Sequence, residues 1–117
     1  MISIDELRDF VLALPVVEER RTWGKPTFRV RGRMFLTLDP DDPAATCKSS
    51  REEQTALLAS DPATFAFPAY VGHHGWVRVR LDQVDAEEMR ELATEAWRRT
   101  APKRLVRRFD DSTAGDS

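Results

Sequence analysis

The chain holds 117 residues, 41% hydrophobic and 32% charged, with a net charge of −2. That is one domain's worth of chain with room for a modest core, which excludes a multidomain enzyme or a large barrel. No stretch approaches the roughly 18 consecutive apolar residues of a membrane-spanning helix, and the net negative charge argues against a generic nucleic-acid binder.

Residues 3–14 predict a first helix. Ser3 and Glu6 have the spacing of a capping box, and Ile4, Leu7, Phe10, Val11 and Leu14 recur at helical period. Pro15 ends it, because the residue before a proline is driven out of the α region. The period then changes to two. Residues 16–23 have room for a short strand that ends near Gly24. Across residues 26–31, Phe28 and Val30 face one way and Arg29 and Arg31 the other. Arg31-Gly32-Arg33 reads as a tight turn in which Gly32 takes positive φ. The next strand covers residues 34–38, with Met34, Leu36 and Leu38 inward and Phe35 and Thr37 outward.

A proline-rich acidic loop, residues 39–43, leads to a short candidate strand over residues 44–48. Ser49 or Ser50 then caps a helix over residues 51–60, which Asp61-Pro62 closes. Phe65, Phe67 and Tyr70 suggest a strand and loop, and Val71-Gly72-His73-His74-Gly75 a turn. Residues 76–81 form the clearest strand, with Val77, Val79 and Leu81 inward and Arg78 and Arg80 outward. Asp85 caps a last helix whose stripe is Met89, Leu92, Ala93, Ala96 and Trp97, and Pro102 follows its end near residue 100. Residues 103–109 are basic and partly apolar, either docked or a loose tail, and residues 110–117 read as a disordered tail. Residues 1–109 therefore form a single α+β domain. It is a two-layer sandwich in the order α-β-β-β-α-β-β-α, with an antiparallel sheet of about five strands and helices on one face.

The charge is segregated along the chain. Residues 20–38 carry six cations and no acid, residues 82–96 six acids against Arg90, and residues 97–109 six cations again. Arg29, Arg31, Arg78 and Arg80 occupy outward strand positions, with Lys25 and the Arg33 turn beside them. Guanidinium groups interleaved with Phe35 and Trp76 suit phosphate neutralisation and base stacking. The competing reading is a solvated face whose arginines pair with carboxylates. Trp23 reads either as core beside Phe28 or, with His74 and Trp76, as the lining of a small-ligand cleft. Cys47 before Lys48 reads as a buried strand residue before it reads as a reactive thiol. With no P-loop, Rossmann or catalytic fingerprint and no zinc-type spacing, no cofactor, metal or catalytic residue is expected. Acids in Met1-Ile2-Ser3-Ile4-Asp5-Glu6, and a single cysteine that cannot form an internal disulfide, point to a reducing cytoplasm.

Leu14-Pro15 with Glu18-Glu19, then Trp23-Gly24-Lys25-Pro26-Thr27-Phe28-Arg29-Val30, Gly32-Arg33-Met34-Phe35 and late His74-Gly75-Trp76-Val77 together resemble the MmcQ/YjbR family, over residues 3–105. The resemblance implies a small two-layer α/β fold like secretion-chaperone or CyaY-like domains, a double-wing DNA-binding motif and no established enzyme activity. Residues 38–47 depart from the pattern, since Asp39, Asp41 and Asp42 would repel phosphate at a second wing. The first expectation is a non-catalytic DNA-binding protein, monomer or weak dimer, without a membrane partner. It would use Lys25, Arg29, Arg31, Arg33, Arg78 and Arg80. The alternatives are a module that binds an acidic protein segment and a small-ligand domain using Trp23, Phe35, His74 and Trp76.

Overall fold

A computed structural model describes residues 1–114. α1 (Ile4–Leu12) begins as its capping box predicts: Glu6 N–H donates to Ser3 Oγ at 3.0 Å, and Ser3 N–H to Glu6 Oε1 at 3.4 Å. β1 (Val17–Thr22), β2 (Lys25–Val30), β3 (Arg33–Asp39) and β4 (Ala44–Cys47) form a meander. α2 (Arg51–Ser60) starts where Ser50 Oγ accepts from Glu53 N–H. β5 (Phe65–Ala66), a 3-10 turn (Val71–His74) and β6 (Val77–Arg80) follow. α3 (Ala86–Thr100), capped by Asp85, and α4 (Lys103–Ala114) complete the chain. No helix among the described residues is long and apolar enough to cross a membrane.

The fold is α+β: one open antiparallel sheet in the order β1-β2-β3-β4-β6-β5, with α1 and α3 against one face. Six strands stand where about five are expected; β5 has only two residues, too few for an alternation to register. Trp97 of α3 is fully buried, and its indole N–H donates to Pro15 O at 3.0 Å, which ties the end of the α1 segment to α3. Burial of one such ring removes roughly 200 Å² from water, on the order of 5 kcal/mol.

Residues 103–109 are docked rather than loose. They belong to α4, whose Leu105, Val106 and Phe109 pack against the core. The Phe109 ring lies 5.1 Å from that of Trp97, with the Arg98 guanidinium 5.3 Å over it. α4 also takes in residues 110–114 of the segment expected to be a disordered tail, and residues 115–117 of that segment lie outside the described residues.

One irregularity re-aims β3. Phe28 pairs with Leu36 but Arg29 with Met34, so Phe35 is an extra residue in the ladder. Such a bulge breaks the two-residue alternation. Phe35 and Leu36 are consequently both buried in the core, and Met34 joins Thr37 on the opposite face. The simple alternation places Met34 inside and Phe35 outside; the bulge reverses the pair. On the open face the register aligns Thr27, Thr37, Thr46, Arg78 and Ala66 in one row across the sheet.

Candidate functional site

Arg29, Arg78 and Arg80 lie on the open face, as the alternation predicts, but they do not converge. Arg29 is on β2 and Arg78 on β6, three strand steps apart and therefore separated by roughly 14 Å. Carboxylates hold most of the cations on this face. Arg78 Nη2 is 2.9 Å from Asp42 and 3.5 Å from Asp39, Lys25 Nζ is 3.5 Å from Asp39, and Arg80 Nη2 is 3.5 Å from Asp82. Arg29 turns back on its own hairpin, donating to Gly32 O at 3.3 Å and Thr22 Oγ1 at 3.4 Å, while its Nε is buried without a hydrogen-bond partner among the described residues. Burial pushes the Asp39 carboxyl up, but Lys25 and Arg78, with a backbone hydrogen bond from Asp42, outweigh it and hold it below the usual carboxylate range. The acidic loop thus neutralises the arginines beside it. Phe35, expected as a stacking platform, is wholly buried.

The cations that do gather lie elsewhere. The β2–β3 turn faces the junction of α3 and α4 across an open groove of about 750 Å³. Arg31, Arg33, Arg99, Lys103, Arg104 and Arg108 line it together with Thr100, Ala101, Pro102 and Leu105, and no acid among the described residues does. Arg99 reaches Glu53 at 3.6 Å. Among the described residues no carboxylate pairs with Arg31, Arg33, Lys103, Arg104 or Arg108. Two local features build this surface. Arg31-Gly32, with φ of 53° and 80°, makes a two-residue hairpin turn of the primed type between Val30 and Arg33. On α4, Arg104 and Arg108 are four residues apart and share one helix face. Sequence reasoning marked Arg31 and Arg33 and missed Lys103, Arg104 and Arg108. The signal was the basic run with Leu105, Val106 and Phe109 at helical spacing.

On the open sheet face a second concavity, about 290 Å³, lies between the β1–β2 turn and the loop before β6. Trp23 and Trp76 both line it, and Tyr70 joins them. Trp76 is nearly buried, whereas Trp23 is 92% exposed and not a core residue. His74 is exposed on the 3-10 turn and does not line this cleft. Cys47 is wholly buried; burial, with the charge of Glu53, pushes its thiol up to about 12, which leaves it protonated and unreactive at neutral pH.

Known proteins align with this architecture. The YjbR family model matches residues 12–99. Uncharacterized proteins of Mycobacterium bovis and Mycobacterium tuberculosis are 37% identical over 125 aligned residues, covering 93% of this chain and 96% of theirs. A crystal structure of a Deinococcus radiodurans protein with a DUF419 domain superposes with a TM-score of 0.75 at 28% identity. That alignment covers 83% of this chain and 77% of that one.

Proposed function

The chain belongs to the YjbR family, and from that premise we propose that it is a non-catalytic DNA-binding protein whose basic groove holds the phosphate backbone. The observation that carries the reading is the set Arg31, Arg33, Lys103, Arg104 and Arg108, gathered around one groove with no lining carboxylate among the described residues. Each such cation releases condensed counterions when it meets a phosphate, which is the main sequence-independent source of DNA affinity. The groove also opens at the first turn of α4, where Lys103 and Arg104 sit at the positive end of the helix dipole. α1, α2 and α3 all place acids in that turn. The reversal in α4 opposes helix stability and favours an anion. The chain as a whole has a net charge of −2, so in this reading binding is confined to the one basic groove.

Fluorescence anisotropy with a short duplex tests the reading. Affinity should fall steeply with salt. Arg31→Glu with Arg33→Glu, or Arg104→Glu with Arg108→Glu, should weaken binding at least about tenfold and reduce the salt slope by about two. Arg78→Gln with Arg80→Gln, on the neutralised sheet face, should change it less than about twofold. No binding at about 50 μM protein in about 50 mM salt would overturn the proposal. So would binding of an acidic peptide in place of DNA, which would assign the groove to a protein partner.

A further inference from the structure

We propose that the cleft on the open sheet face binds an uncharged heteroaromatic ring system of one or two rings, the chemistry of a nucleobase. Trp23 and Tyr70 supply ring faces, and the hydroxyls of Thr37 and Thr46 supply hydrogen bonds to its edge.

The first support is backbone strain at both aromatics. Trp23 has φ 54° in the two-residue turn between Thr22 and Lys25, a position that favours asparagine, aspartate or glycine. Tyr70 has φ 64° and ψ −56°, and Val71 N–H donates to Ala69 O at 2.7 Å. That is the rare γ-turn with positive φ. Bulky residues in such conformations persist only where the surroundings enforce them, and they cluster at ligand sites. Neither ring contributes to the core: each is 92% exposed. Two strained, solvated aromatics on separate loops line the same cleft. Folding gains nothing from their size, and a ring ligand would.

The floor supplies the polar half. Thr37 and Thr46 are direct cross-strand partners on β3 and β4, and both line the cleft. Thr27, next in the row, spends its hydroxyl on Arg20 O at 2.9 Å. The side chains of Thr37 and Thr46 have no hydrogen-bond partner among the described residues. Two adjacent hydroxyls, each able to donate and accept, match the mixed edge of a heteroaromatic ring. The volume of about 290 Å³ admits one or two rings and little more.

The wall is fixed in advance. Buried Gln54 of α2 donates through Nε2 to Gly72 O at 2.9 Å and to Trp76 O at 2.6 Å, and Arg51 donates to His73 O at 3.1 and 2.7 Å. These bonds clamp the loop that carries Tyr70, so little ordering remains to oppose binding. Lys25 and Arg78 also line the cleft, but Asp39 and Asp42 together balance them, so the site has no surplus cation. An uncharged ring suits it better than a phosphate, which sets it apart from the basic groove.

Adenosine, cytidine and indole, titrated into the full chain and followed by amide chemical shifts and tryptophan fluorescence, test this. Adenosine should shift the amides of residues 22–25, 37, 46 and 69–71 with a dissociation constant of about 1 mM or below. Tyr70→Ala and Trp23→Ala should each weaken it at least about fivefold. Thr37→Val with Thr46→Val, which preserves strand propensity, should weaken adenosine and leave indole unchanged. A single-stranded oligonucleotide that binds far tighter than adenosine, and loses that advantage in Tyr70→Ala, assigns the ring to a nucleic-acid strand; equal affinity assigns it to a free nucleoside. No shift from either nucleoside up to about 10 mM overturns the proposal. Indole binding as tightly as adenosine, with the threonine variants silent, also overturns it. Nucleosides carry no phosphate, so failure here leaves the basic groove untested and intact.

Discussion

Trp23, Arg31 and Tyr70 adopt a backbone conformation that bulky residues avoid, and each side chain lines one of the two concave surfaces. Val16, the fourth such residue, precedes β1 and lines neither. The left-handed conformation costs about 1–2 kcal/mol for a residue with a Cβ. Substituting the residue each turn prefers should therefore stabilise the free protein. Trp23→Asn and Tyr70→Gly are each expected to raise stability by about 1 kcal/mol and the melting temperature by about 4 °C. Thermal melts showing an unchanged or lower midpoint would mean that the exposed rings contribute contacts that outweigh their strain. The glycines of both hairpin turns announce tight turns in the sequence, at Gly24 and Gly32. What they do not announce is that the preceding Trp23 stands in solvent, because a tryptophan beside an apolar strand reads as core until the pairing partner of each residue is known.

Elements differ in how far their pattern can be read. α1 and α3 follow from caps and apolar period, α2 from its serine cap and the Asp61-Pro62 stop, and β6 from clean alternation, because each is a local signal. β3 does not, since the extra residue Phe35 is defined only by its partners on β2. The same limit hid the neutralisation of the arginines: Arg78 and Asp42 are 36 positions apart in sequence and 2.9 Å apart in space. α4 is the element on which the proposed DNA site most depends. It is held chiefly by the half-buried Phe109 against Trp97 and by Arg98, whose Nη2 lies 2.5 Å from Asp110. Phe109→Ala should cost about 2 kcal/mol locally and release α4 while leaving the sheet folded. Hydrogen exchange should then accelerate in residues 103–112 and not in β2, β3 or β4. DNA affinity should fall with it, although no charge has been removed. Uniform acceleration throughout the chain would show instead that α4 is integral to the global core.

At the scale of the whole molecule, charge is sorted into a neutral sheet face, an acidic helix surface and a basic groove. Asp39 is central to the first, because it serves both Lys25 and Arg78. Its carboxyl titrates below its ordinary range in the fold. The stabilisation it provides is therefore complete above the unfolded value and disappears as pH falls through the folded one. Urea melts of the wild type and Asp39→Asn should differ most near neutral pH and converge as the Asp39 carboxylate is protonated in acid. A difference that persists in acid would place the effect of the substitution in packing. The bulge at Phe35 acts on the same scale. An inserted residue bends its strand and tightens the local twist, and here it lies two positions from Arg33 and four from Arg31. That hairpin end carries the two guanidiniums that face the α3–α4 junction across the groove. Excising Phe35 should restore the plain two-residue alternation and alter the course of that end, so the spacing between its two guanidiniums and the three cations of α4 depends on strand curvature as well as on sequence.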